Sequence, residues 1–320
     1  MTASDVLPAN GPAAPPHVVP PPPGLAAPPP PRVPRRASPG VQVVTTAITI
    51  LSLTLLGFGA YVGFLSRLHH DRAQLTAFAD FRVDLAQGTA PTGQTKPTDP
   101  KQLLELGTPV AVLEIPKLER KEVVFEGTTG EVLQRGPGHR RDTPLPGQAG
   151  VSVIMGKATT YGGPFGALQT LVPGDQFTVI TGQGKSRYTV LDIRHGGMAQ
   201  PPPVAAGKGR LVLTTAYGGM FVPSDALRVD ADLTTEAFPK PNSVLKTSEL
   251  YPSEQVMAID RGVWFPLVFI GEALVLAVGL LSAARAFWGG WQTWIVAVPV
   301  VLFLGIATAD QVSRLLPNLI

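Results

Sequence analysis

Apolar residues in this chain gather into three long blocks, with a series of short apolar runs between the first block and the second. Val41 to Leu65 is 25 residues without a charge. At about 1.5 Å of rise per residue, a helix of that length crosses a hydrocarbon core of about 30 Å. Gly262 to Ala284 carries one charge, Glu272, and Ala286 to Ala309 carries none. Arg285 alone stands between them, which predicts a tight helical hairpin. Trp264, Trp288, Trp291 and Trp294 lie at the ends of these runs, where an interfacial aromatic belt belongs. The pattern predicts one N-terminal and two C-terminal transmembrane helices. The first run is too long, and its leader too extended, for a cleaved signal peptide, so it reads as an uncleaved anchor.

The texture changes between Thr108 and about Leu233. Short β-rich runs alternate with Gly/Pro turns: Val110–Ile115, Val151–Met155, Gln176–Ile180, Arg187–Ile193, Arg210–Thr215 and Leu227–Leu233. Regularly spaced short strands with turn punctuation predict a closed β-barrel. The expected organisation is a Pro-rich tail (1–40), a first span (41–65), a helix and linker (66–107) and the β-rich domain (108–233). A stalk (234–261), two spans (262–284 and 286–309) and a tail (310–320) follow. Within the linker region, Arg72 to Gln87 predicts a short helix and Gly88 to Pro100 a loop.

Charge and composition narrow the function classes. The net charge of +3 is small, and the one compact basic cluster, Arg32, Arg35 and Arg36, directly precedes an apolar run. That placement speaks for membrane topology and against nucleic-acid binding. With these residues and Arg285 on the cytoplasmic side, residues 66–260 are expected outside a bacterial cytoplasmic membrane, in a multi-pass protein. Residues 1–40 hold 14 of the 34 prolines, a composition expected to give polyproline II or disorder. Cysteine is absent, which excludes disulfides, thiolate metal sites and thiol nucleophiles.

A series of landmarks resembles the sortase family. Leu113-Glu114-Ile115-Pro116-Lys117-Leu118 is similar to an opening "IPK" strand. Gly127-Thr128, then Leu133 through Gly136-Pro137-Gly138-His139, then Leu145-Pro146-Gly147-Gln148 resemble the family's "GT…L..GPGH…LPGQ". Phe165, Leu168, Leu171 and Gly174-Asp175 match "F..L..L..GD", and Tyr188-Thr189-Val190 matches "Y.V". The resemblance implies a mainly β fold, a sortase-like eight-stranded β-barrel. It also implies chemistry in which a cysteine attacks a carbonyl of an LPxTG-type sorting peptide. A histidine serves as acid/base and an arginine holds the developing oxyanion.

Carried over residue by residue, two of those three positions are changed. The family's "GH" reads Gly156-Lys157, and its "LTTC" reads Leu213-Thr214-Thr215-Ala216; only the arginine remains, as Arg228. A methyl at Ala216 cannot form an acyl-enzyme, and an ammonium at Lys157 is no base unless burial lowers its pKa. Candidate ligand-binding residues are Lys157, Thr214, Thr215, Tyr217, Arg228 and His195. If Lys157 and Arg228 both face the cleft, they form a dicationic pocket for a carbonyl, carboxylate or anionic polymer; alternatively both point to solvent and the cleft is only a vestige. Alternation along the strand puts Thr215 on the face opposite Ala216. The five histidines show no zinc spacing, and Glu119, Glu122, Glu126 and Asp175 give no calcium-loop pattern, so no metal and no cofactor are expected.

These readings lead to a membrane-anchored, non-catalytic sortase-like protein. It is expected to bind sorting-signal peptides or cell-envelope assembly partners. Two alternatives stand beside it: a divergent transpeptidase or hydrolase using Lys157 with a threonine or tyrosine hydroxyl, and a purely structural anchor of a membrane complex. Glu272, mid-span, is a functional candidate, or a packing residue bonded to Thr45, Thr46 or Thr293. A membrane-protein partner through the second and third spans is expected.

Overall fold

The computed structural model describes residues 38–320, apart from Phe221, Ser243, Val244 and Gly289. The Pro-rich segment 1–37 lies outside the described residues. Helix α1 (Pro39–Ala60) passes through one π-helical turn (Tyr61–Leu65) into α2 (Ser66–Gln87). The first apolar run and the short helix expected after it are therefore one continuous rod. No proline or glycine interrupts residues 64–87, so nothing breaks the hydrogen-bond ladder where the polarity changes. Gly88 ends the helix in the left-handed region (φ 69°), its N–H returning to the carbonyls of Asp84 and Leu85.

The region expected to be a loop contains a small hairpin, β1 (Thr95–Lys96) with β2 (Asp99–Leu103). Then come β3 (Pro109–Ile115), β4 (Arg120–Glu126), α3 (Gly130–Arg135) and β5 (Gly138–His139). They are followed by β6 (Gly150–Met155), β7 (Gln176–Thr181), β8 (Gly184–Arg194), β9 (Gly209–Gly218) and β10 (Pro223–Leu233). Strands β3 to β10 close into an eight-stranded barrel in the order β10-β8-β7-β3-β4-β5-β6-β9. The β4–β5 and β6–β9 pairs are parallel and the others antiparallel. The interior is filled by Leu113, Ile115, Phe177, Val179, Tyr188, Leu211, Leu213 and Val229 among others.

Strand β4 escaped the sequence pattern for a physical reason. Val123, Val124 and Phe125 are all buried, so polar and apolar positions do not alternate. Helix α2 covers the outer face of this strand. Ala77 and Phe81 pack against Val112, Val123, Phe125 and Val132. The Gln74 side chain also donates to the carbonyls of Val123 (3.1 Å) and Arg135 (2.9 Å) and accepts from the Val123 N–H (2.6 Å).

After β10 the chain, in the region expected to be a stalk, runs back along the barrel as a strap bonded to it. Arg141 makes a paired contact with Glu254 (2.8 and 2.5 Å), and Thr128 donates to the Glu254 carbonyl (2.7 Å). Helices α4 (Trp264–Trp288) and α5 (Gly290–Arg314) form the hairpin. Among the described residues three helices are long and apolar enough to cross a membrane: 40–87, 261–285 and 290–314. Helix α5 runs past the expected end of its span, and segment 315–320 folds onto the barrel.

Candidate functional site

The β9–β10 ladder places the residues singled out at the barrel's edge. Ala216 lies opposite Ala226, Thr215 opposite Leu227 and Thr214 opposite Arg228. Alternation therefore puts Thr214, Ala216, Ala226 and Arg228 on the outer face. Thr215 turns inward, where its hydroxyl donates to the Gly156 carbonyl (2.8 Å). Arg228 is half-buried, its Nη1 donating to its own strand at the Ala226 carbonyl (3.4 Å). Tyr217, at the outer end of β9, stacks on His195 with ring centroids 4.6 Å apart and planes 8° from parallel. The Asp225 carboxylate, which accepts the Gly196 N–H, holds the loop that carries His195.

Lys157 follows directly on β6. The Gly156 N–H donates to the Thr214 carbonyl (3.0 Å), which ties this turn to β9. A Cβ at Gly156 would stand 2.6 Å from the Phe165 ring, so the close approach requires glycine. The Lys157 side chain is not open to the cleft; it is 2% exposed. Its Nζ lies 5.5 Å from the Tyr161 ring and donates to the backbone oxygen of Ile320 (3.0 Å). Burial holds the amine's pKa down to about 7. The condition for a two-cation pocket, both side chains open to the cleft, is not met. Arg228 is half-exposed, whereas Lys157 is covered by the chain itself.

Segment 315–320 forms that cover. The Thr160 hydroxyl also donates to the Ile320 oxygen (2.5 Å), and the Ala158 N–H donates to the Leu319 carbonyl (2.8 Å). The Asn318 amide donates to the carbonyls of Thr128 (3.0 Å) and Gln255 (2.9 Å), and its N–H to Ala258 (2.9 Å). Leu319 is 0% exposed and packs with Leu133 and Met155, next to Val153, Ala216, Val256 and Met257. Beside this segment opens a pocket of about 630 Å³, lined by Phe58, Arg67, Thr159, Thr160, Met220 and Leu316 among others.

Comparison with known proteins supplies the family. Residues 113–226 match the family model described as "Sortase domain". The chain carries a sortase domain. Sortase D of Bacillus subtilis (strain 168) is 28% identical over 120 residues, which are 37% of this chain and 59% of that protein. The chain thus spans less than two thirds of the length of the relative it matches. A Clostridium perfringens Sortase D5 transpeptidase structure is 19% identical (TM-score 0.42), covering 51% of this chain and 99% of that one. A Clostridium perfringens sortase C, solved with the C-terminal cell wall sorting motif, is 20% identical (TM-score 0.38), covering 51% and 89%.

Of the candidate residues, Lys157 donates to Ile320, and Ala216 borders the cluster that contains Leu319. Thr160, Leu319 and Ile320 are the site residues that sequence reasoning missed. The one signal for them is an apolar Leu319-Ile320 pair after a polar helix end, too short to read as an element. Three of the four carboxylates weighed for calcium are engaged otherwise. Glu122 meets His70 (3.1 Å), Glu126 meets His139 (2.9 Å) and Asp175 meets Lys117 (2.7 Å). Glu272 is exposed on α4, and Thr45 and Thr46 bond back to their own helix at Val41 and Gln42.

Proposed function

We propose that this chain is a membrane-anchored, non-catalytic sortase-type protein whose cleft binds a short peptide. One observation carries the reading: the strand position that matches the thiol nucleophile holds the methyl of Ala216, and the sequence contains no cysteine. Formation of a thioester needs sulfur, and no neighbouring group replaces it. Thr215 faces the other side of the strand, and Thr214 is buried two residues deeper in the strand than Ala216. Binding does not require the missing sulfur. Thr160, Lys157 and the Ala158 N–H are donors suited to peptide carbonyls, and here they serve the backbone of Leu319 and Ile320, with Arg228 half-exposed nearby on β10. The family resemblance implies LPxTG-type peptides as the ligand class. Leu316-Pro317, at the site, begins with the same dipeptide. The three apolar helices support a multi-pass anchor in a bacterial cytoplasmic membrane, with the domain on the extracytoplasmic side.

A second reading has its own support. An amine with a pKa near 7 is partly neutral at physiological pH, and the Thr160 hydroxyl shares its acceptor. Together they supply a base and a hydroxyl for a divergent hydrolase. Incubating the purified full-length chain with an LPxTG-type peptide and an amine acceptor separates the two readings. Peptide binding with no cleavage or exchange is the expected result. Product that disappears in Lys157→Ala establishes the second reading and removes the first.

A further inference from the structure

We infer that the degenerate cleft is a site for a short peptide bound as a turn and presenting an aliphatic side chain followed by a backbone carbonyl, and that residues 317–320 of this chain, where the Ile320 N–H donates to the Pro317 carbonyl (3.0 Å), are its resident occupant. The inference rests on the peptide-binding reading above and adds what fills the site. Segment 317–320 is held as a ligand is held. Leu319 and Ile320 are 0% and 1% exposed, and the Asn318, Leu319 and Ile320 backbones bond to the strap, the 156–160 turn and Lys157. A loosely packed tail would leave its apolar side chains wet and its carbonyls to solvent. Four hydrogen bonds to its backbone, two more from the Asn318 side chain and two fully buried aliphatic side chains point to a built receptor.

The composition of the receptor supports the same view. At Ala216 a small apolar group borders the cluster that receives Leu319. At Lys157 a long donor reaches a carbonyl three residues beyond Pro317. An imidazole in place of Lys157 would be a shorter, planar donor. The two departures from the family pattern are therefore the two that fit this occupant. Because the occupant is tethered, it competes at an effective concentration of the order of millimolar, and a free peptide must exceed that or arrive when α5 moves. The pocket beside Thr160 and Leu316 gives an incoming peptide a place to begin.

The absence of native cysteine makes the test direct. In the full chain in detergent micelles, single variants Leu319→Cys, Ile320→Cys and, as an exposed control, Val172→Cys are labelled with a maleimide. Expected is labelling of both segment cysteines slower than Val172→Cys by about 100-fold or more, as local opening governs access. Adding the synthetic pentapeptide Leu-Pro-Asn-Leu-Ile at millimolar concentration should accelerate the segment cysteines and leave the control unchanged. In parallel, a chain with residues 316–320 replaced by Gly/Ser should bind the labelled pentapeptide at least about 10-fold more tightly than wild type. If both segment cysteines react as fast as the control, the occupant is refuted. Equal peptide binding by wild type and the Gly/Ser chain refutes it as well, while leaving the peptide-binding reading standing. Failure of the folded Gly/Ser chain to bind either this pentapeptide or an LPxTG-type peptide removes that reading too.

Discussion

Replacing Lys157 by methionine keeps most of the side chain's length and apolar volume and removes its amine. In the folded chain burial holds that amine's pKa down to about 7, against 10.5 for an ordinary lysine. Between those values the unfolded chain binds a proton that the folded chain does not. Stability therefore rises with pH across the window. The cost is fully present below about pH 7, where it is roughly 5 kcal/mol at about 1.4 kcal/mol per tenfold. At about pH 9 roughly 2 kcal/mol of it remains, by the same linkage. Methionine carries no such cost. It forfeits the hydrogen bond to Ile320, worth about 1 kcal/mol, while Thr160 still serves that oxygen. Lys157→Met should therefore be the more stable protein at about pH 6. Its advantage should shrink by about 2.5 kcal/mol on going to about pH 9. Denaturant unfolding of both chains in the same micelle, at several pH values, gives the difference curve. A difference that is flat with pH, or that grows as the solution becomes alkaline, would refute the burial argument.

Other substitutions probe the strap and the cleft. Glu254→Gln leaves the Arg141 guanidinium buried without its anion, and unfolding measurements should show a loss of about 3–5 kcal/mol. His139 is fully buried; burial alone would lower its pKa, but pairing with Glu126 (2.9 Å) outweighs that and raises it. The stabilisation it gives is thus present below its unfolded pKa and lost as pH rises through the folded one. The wild-type advantage over His139→Gln should be larger at about pH 5.5 than at about pH 9 in parallel melts. Ala216→Cys restores a thiol but leaves Lys157 bonded to segment 315–320. A mass-spectrometric assay with LPxTG-type peptide and amine should detect no exchange from this single variant, and sustained turnover would show that the rest of the cleft is intact for catalysis.

How far the sequence carried depended on whether a feature was local. The β-runs around Val112, Val153, Val179, Val190, Leu213 and Val229 alternate or cluster in ways that turn residues delimit, and they became strands. Strand β4 was invisible because α2 covers its outer face, a tertiary effect that erases alternation. Strand β5 is two residues long and exists only through its neighbours on either side. The places of residues 157 and 216 within the resemblance were read from the motifs that flank them. That Thr215 points away from Ala216 followed from the period of two and holds in the register. The contact between Lys157 and Ile320 spans 163 positions, and no local pattern encodes it. An exposed cationic pocket was the natural reading of Lys157 without that contact.

The same long-range contacts tie the cleft to the apolar helices. Tyr161, in the loop after Lys157, shares a hydrogen bond with Ser313 of α5 (3.0 Å), and its N–H donates to Ser66 of α2 (3.3 Å). Gln134 of α3 donates to the same Ser313 (3.3 Å), and Asn318, four residues past α5, bonds to Thr128 and Gln255. Two helices thus grip the domain on the side where Ala216 and Lys157 lie. A shift of α5 along its axis would draw on Pro317 and on the residues filling the cleft before it disturbed the barrel interior. Segment 315–317 joins α5 to the residues that fill the cleft. The third apolar helix is thus joined to the cleft both through Ser313 and through the chain that follows it.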